Sequence, residues 1–251
     1  TRPLPLTTVE LQKAASKFLK IDPTTTMKIA EELYTKGFVS YPRTETNIYP
    51  NGMNHEELVR ELAGSQTYGE YCQRLLAGGR YEARRGNASD NSHPPIHPTK
   101  LAAGLGGAEG RIYDLIVRTY LASVSENARG FETTIGLAVG EETFHATGLR
   151  IAERNFLDIY PFRKWGEKEV PEFEEGEHVN DTEYAVESGE TTPPKPLTEA
   201  ELIALMDKNG IGTDATVAQH IEKIKERQYV TETKGALVPT NLGLALIEGY
   251  D

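Results

Sequence analysis

The chain has 251 residues, 38% hydrophobic and 26% charged, with a formal net charge of −11, a balance that excludes a disordered chain. No apolar run reaches the roughly 20 residues of a membrane-spanning helix, and the lone cysteine, Cys72, excludes an intrachain disulfide or a multi-cysteine zinc site. The length allows two or three modules.

The negative charge is unevenly placed. Residues 151–190 hold 12 Asp and Glu against 4 Lys and Arg, whereas residues 1–47 hold 7 Lys and Arg against 5 Asp and Glu. Screening confines such fields to roughly 8–10 Å, so the acidic segment does not stop the opening segment from meeting phosphate. The start, TRPLPLTTVELQ, has neither Met nor a signal-peptide pattern and reads as a cut from a longer chain.

In chain order, Thr7-x-x-Glu10 is a capping-box pattern, and Leu11, Ala14, Ala15, Phe18 and Leu19 share one helical face. A second helix, entered through threonines after Asp22, closes at Gly37. FVSY is short and extended, and Pro42 stops any regular ladder. Two short helices are expected at 54–64 and 67–77, then a polar loop at 78–100 rich in Gly and Pro. A helix follows at about 108–126, with Ile112, Leu115, Ile116, Tyr120 and Leu121 on one face. From Phe131 the period becomes two, with a turn at Gly140-Glu141 and strand-like pieces continuing to DTEYAVESG. Beyond the Pro-rich 191–197, Thr198-x-x-Glu201 opens a helix ending near Gly210. A helix over 215–228, a hairpin turning at Lys234-Gly235 and a last helix complete the order of a winged helix.

Three stretches could carry chemistry. In SYPRTETN, Tyr41 is a candidate nucleophile, although a free tyrosine, with a pKa of about 10, needs nearby positive charge or a base. Arg43 could grip a phosphate through its planar fork, and Thr44, Glu45, Thr46 and Asn47 offer hydrogen bonds. The plainer reading is a strand end and a turn. In HPPIHPTK, His93 and His97 are four apart, but Pro94, Pro95 and Pro98 forbid the helix a metal pair would need; one histidine could donate to phosphate. GIGTDAT sets two glycines and two threonines at a helix start, either to hold phosphate or simply to end one helix and cap the next through Thr213 or Asp214. Arg80, Arg84 and Arg85 could meet a nucleic-acid backbone or face water.

GFVSYPRTETN, HPPIHPTK and GIGTDAT, in that order and preceded by PLTTVELQKAAS, closely resemble the motifs of type IA DNA topoisomerases, in particular the topoisomerase III group and its alpha type more than its beta type. The resemblance implies an α+β multidomain fold from a four-domain torus. A winged-helix (CAP-like) tyrosine domain would span 1–128, a β-rich hinge domain 129–192, and part of a winged-helix DNA-binding domain 193–251. The acidic Toprim domain of the family, which holds Mg²⁺, would precede them; no Asp-x-Asp-x-Glu occurs here, so no metal is expected in this fragment.

The resemblance further implies that Tyr41 attacks single-stranded DNA and is joined to its 5′-phosphate, with Arg43 and His93 at the scissile phosphate. DNA contacts would fall to Thr44, Thr46, Asn47, His97, Gly212, Thr213 and Thr216; His97 and Thr213 stand where bacterial relatives have Arg. A RecQ-family helicase and an OB-fold accessory protein are the implied partners, and the nucleus the implied location, with mitochondria as a second. The alternatives are a non-catalytic winged-helix nucleic-acid-binding module and a protein-interaction scaffold using the acidic 151–190 stretch.

Overall fold

The computed structural model describes residues 1–79, 81–180 and 182–250. Five helices make up the first half: α1 (Thr8–Ala14), α2 (Pro23–Thr35), α3 (His55–Leu62), α4 (Gly69–Gly78) and α5 (Gly107–Ser123). The capping box at α1 is half formed. Thr7 accepts from the Glu10 amide, while the Glu10 carboxylate turns to Lys13. The expected long first helix also breaks its register, because Ala15–Leu19 winds as a π-helical turn ending at left-handed Lys20. That turn buries Ala15 but leaves Phe18 exposed, so the five-residue apolar face predicted there is not continuous. Helix α2 starts as its sequence dictates, with Asp22 accepting from the Thr25 amide and Pro23 in the first turn.

Helix α5 is the post around which the first core is built. Its predicted apolar face is buried, and so are Tyr113, Val117, Thr119, Ala122 and Ser123, leaving it enclosed on nearly every side. One reason lies downstream. The 3₁₀ turn Asn155–Asp158 brings Phe156, Leu157 and Ile159 back into this core, and Arg118 of α5 bonds the Ile159 carbonyl. Residues 156–159, allotted to the hinge on the sequence, therefore pack with the tyrosine-bearing part.

Between them, β1 (Arg129–Val139) and β2 (Glu142–Glu153) form one antiparallel hairpin turning at Gly140, whose φ of +62° suits glycine. It is exposed along most of its length. The expected strands beyond it do not form: Lys168 makes a single bridge to Leu149, and residues 182–189 carry no regular structure. Asp181, in the same stretch, lies outside the described residues. The physical reason is a lack of cover, since Tyr184 and Val186 face solvent. The chain is thus mixed α and β, with less β structure in 129–192 than its alternation suggested.

At the C-terminal end, α6 (Glu199–Lys208), α7 (Val217–Glu226), the hairpin β3 (Val230–Thr233) and β4 (Ala236–Pro239), and α8 (Asn241–Tyr250) follow in the predicted order. The Thr198–Glu201 capping box is complete. Ile203, Met206, Val217 and Ile221 form a second, smaller core on which Val9 of α1 packs. Ser16 to Glu199 and Thr24 to Glu222 add polar contacts between the two parts.

Candidate active site

The tyrosine turn is placed by two extended segments running antiparallel. Val39 bridges Pro98; the Ser40 amide donates to the His97 carbonyl at 2.9 Å and the Thr99 amide to that of Phe38 at 3.0 Å. Ser40 then donates its hydroxyl to the Pro95 carbonyl and accepts from the His97 amide. Prolines suit this arrangement because each segment uses only a few of its amides. The ladder brings SYPRTETN and HPPIHPTK side by side, although the 45 residues 48–92 separate them.

On it, the Tyr41 ring is half-buried between His93, at a centroid distance of 4.8 Å, and Tyr34 of α2, at 5.3 Å and edge-on. Among the described residues its hydroxyl has no hydrogen-bond partner in the chain. Arg43 does not stand free. Its Nε donates to Glu31 Oε1 at 2.8 Å, and its Nη1 to the carbonyl of Ala215 at 3.3 Å. That last contact brings GIGTDAT to Arg43, so all three motifs adjoin the tyrosine turn.

The polar tail after Arg43 turns inward. Thr8, wholly buried, donates its hydroxyl to the Pro42 carbonyl at 2.6 Å and accepts from the Thr44 amide at 2.8 Å. Thr44 and Thr46 are buried as well, the first donating to Asp90 Oδ2 at 3.1 Å, the second accepting from the Asp90 amide at 2.9 Å. Asn47 accepts from the amides of Gly86 and Ala88. A Cβ on Gly86 would lie 2.0 Å from Asn47 Oδ1, which accounts for the glycine there. These three residues, expected to touch DNA, fasten the 86–93 loop to the tyrosine turn; in this conformation the hydroxyls of Thr44 and Thr46 are buried, while Asn47 is half-buried.

Asp90 is the hub of that loop. Its Oδ1 accepts from the amides of Ser92 and His93, both at 2.8 Å, and its Oδ2 faces His93 Nδ1 at 3.4 Å. Desolvation raises its pKa, but the His93 and Ser92 amides and the Thr46 and Thr44 hydroxyls outweigh this and hold it well below the usual carboxylate range.

His97 is half-buried. Its Nδ1 lies 2.7 Å from the Pro95 carbonyl, and its ring packs in a cluster with Tyr49, Tyr120 and, through Tyr49, His55. Burial lowers its pKa against the opposing bond from Pro95; burial, then the nearness of His97, lowers that of His55. Arg84 is tied down, donating to the Arg2 carbonyl at 2.6 Å, while Arg85 faces solvent and Arg80 lies outside the described residues.

In GIGTDAT, Gly210 ends α6 at φ +64° as expected, with the Ile211 amide reaching back to Met206. Neither Thr213 nor Asp214 caps α7. Thr216 is the N-cap and uses its hydroxyl to accept from the Thr213 amide at 2.8 Å. Gly212, at φ +83°, and Thr213 are exposed, so their surface is open to a ligand. Thr8, Glu31 and Asp90 are the residues the sequence reading missed. Only Asp90 left a trace, as the one acid in residues 86–100, with the Asp-x-Ser spacing of a side-chain turn.

Cys72 is buried, which pushes its thiol up to about 12 and makes it inert packing. Among the described residues no three His, Cys, Asp or Glu side chains converge as a metal site.

The class of molecule so defined is a mixed α/β protein in which a tyrosine ring lies against a histidine and the arginine beside it reaches the C-terminal part. Its fold is shared with a solved structure of full-length topoisomerase I from Thermotoga maritima, at a TM-score of 0.71 and 24% identity over 99% of this chain and 42% of that one. The DNA topoisomerase family model matches residues 1–251, and the chain belongs to that family. It is 50% identical over 251 residues to human DNA topoisomerase 3-alpha, covering all of this chain and 25% of the relative. The Drosophila melanogaster DNA topoisomerase 3-alpha is 51% identical over 251 residues, with 20% of its length covered. DNA topoisomerase 3 of Saccharomyces cerevisiae is 42% identical over 273 residues, with 42% covered. The type IA, topoisomerase III resemblance is thereby borne out; the chain spans a quarter or less of the human and fly relatives.

Proposed function

We propose that these residues are the gate portion of a type IA topoisomerase III. Tyr41 opens one strand of single-stranded DNA through a 5′-phosphotyrosine, another strand passes, and the break is resealed, giving relaxation or decatenation. The observation that carries this reading is Tyr41 itself, its hydroxyl unengaged among the described residues, its ring against His93 and Arg43 two residues further on. In cleavage, the Tyr41 oxygen bonds to phosphorus as the phosphorus–O3′ bond breaks. The phenolic proton leaves and the departing 3′ oxygen gains one, so religation is the reverse and needs no external energy source. A phosphate entering the cleft competes with Glu31 for Arg43, whose fork matches two phosphate oxygens. The exposed Gly212 and Thr213 support a DNA contact beside it.

The remainder of the reading rests on resemblance. Mg²⁺ and its Toprim domain lie outside these residues, the three domains divide as 1–128, 129–192 and 193–251 with winged-helix character at both ends, and the enzyme acts in nuclear repair and recombination with a RecQ-family helicase and an OB-fold partner.

The test joins the chain to the upstream part of the enzyme, with Mg²⁺ and oligonucleotides labelled at either end. The expected product is a denaturant-stable adduct to the 5′ side of the break, lost in Tyr41→Phe. An adduct that survives Tyr41→Phe refutes the assignment. The 251 residues alone are expected to cleave little or not at all.

A further inference from the structure

We infer that Asp90 is a positioning residue for the chemistry at Tyr41, acting through His93; the inference rests on the function proposed above. Three features of the loop carry it. First, one carboxylate oxygen takes both the Ser92 and His93 amides, which fixes the backbone that delivers the imidazole. Second, the other oxygen takes the Thr44 hydroxyl and faces His93 Nδ1, so loop, tyrosine turn and imidazole share a single anion. Third, the oriented ring lies against the Tyr41 ring at 4.8 Å.

The chemical consequence concerns the tautomer. A carboxylate that stays ionised beside Nδ1 can only accept, so it selects the form with hydrogen on Nδ1. That leaves Nε2 without its hydrogen in the neutral ring and turned away from Asp90, the nitrogen available to exchange a proton or hydrogen bond with a reacting group. Carboxylates that orient a metal-ligating histidine contribute about 10–100-fold to metal affinity or activity, and a contribution of the same order is expected of this metal-free pair. Asp90 itself touches neither Tyr41 nor the phosphate in this scheme.

Asp90→Asn separates this role from mere loop stability. An Asn keeps Oδ1 as acceptor for the two amides and puts a donor in place of the oxygen that faces His93 and takes the Thr44 hydroxyl. Thr44→Val, which removes that hydroxyl alone, is therefore run beside it and should leave the cleavage rate within a few-fold of wild type. In full-length enzyme, single-turnover cleavage should slow about 10–100-fold with oligonucleotide affinity unchanged. In a His93→Ala background the same substitution should slow cleavage no further. A wild-type cleavage rate in Asp90→Asn, or slowing in the double variant equal to the product of the two singles, overturns the inference.

A second readout does not depend on activity or on folding of the longer protein. Long-range ¹H–¹⁵N spectra of the chain at pH 8 should show His93 with hydrogen on Nδ1, shifting to Nε2 in Asp90→Asn. An Nε2–H tautomer in the unsubstituted chain sinks the proposal. If the Tyr41→Phe adduct test fails while the tautomer shifts as expected, it is the function of Tyr41 that falls, not the Asp90–His93 coupling.

Discussion

Thr8→Val asks how firmly the nucleophile's turn is held. Valine matches threonine in shape, so the change deletes one hydroxyl from a site with no solvent access. That hydroxyl serves the Pro42 carbonyl at 2.6 Å and the Thr44 amide at 2.8 Å, and both groups belong to buried residues. Each partner left unmet costs roughly 1–3 kcal/mol, giving a loss of about 2–5 kcal/mol. The amide of residue 8 still reaches the Thr44 carbonyl at 3.0 Å, so the turn is loosened rather than released. With a urea dependence of about 1–3 kcal/mol per molar, the unfolding midpoint read by circular dichroism should fall by at least about 0.7 M. Thr8→Ser, which keeps the hydroxyl and drops a methyl, should cost about 1 kcal/mol. A Val variant within about 0.5 kcal/mol of wild type, or a Ser variant as damaged as Val, refutes the reasoning, since the threshold lies below the cost of one unmet partner.

Three further outcomes follow from buried groups. Gln12 is wholly buried and neither of its amide atoms has a hydrogen-bond partner among the described residues, so Gln12→Leu should raise stability by about 1–3 kcal/mol in the same urea assay; a loss would show an unseen partner. Gly86→Ala drives a Cβ into Asn47 Oδ1 and breaks the Ala88 bond, and should cost about 1–3 kcal/mol in the parent but almost nothing in an Asn47→Ala background, which a double-mutant cycle reads. His55 and His97 have pKa values lowered by folding, so the unfolded chain takes up protons first: stability is intact above their unfolded value of about 6.5 and drains as pH falls below it, by at most about 1.4 kcal/mol per pH unit for each ring and less for half-exposed His55. Melting at pH 7.5 and 5.5 checks this; an acid loss undiminished in His55→Gln/His97→Gln would reject it.

Helix positions were readable because periodicity and caps are local. Asp22-Pro23, Thr198 with Glu201, and Lys234-Gly235 each form the boundary their chemistry demands. The π-turn at Ala15–Leu19 was not readable, because its residues still carry a helical apolar pattern and only packing forces the extra residue per turn. The missing strands after β2 reflect the opposite problem. Alternation there signals a face that could be covered, and within the described residues nothing covers it.

The site divides along the same line. Tyr41, Arg43 and His93 are reactive types in compact motifs, and the fold brings them together. Thr44, Thr46 and Asn47 have the same polar chemistry as DNA-contacting residues, and only burial reveals that their partners are Thr8, Asp90 and the 86–88 amides. Hydrogen-bonding capacity is written in the sequence, but its direction is not. In a turn that must hold a nucleophile against a loop some 50 residues away, inward bonds are the expected use. Tyr41 leaves its own hydroxyl unengaged while its neighbours spend theirs on the scaffold. The polarity of the motif is then as much a mark of preorganisation as of ligand contact.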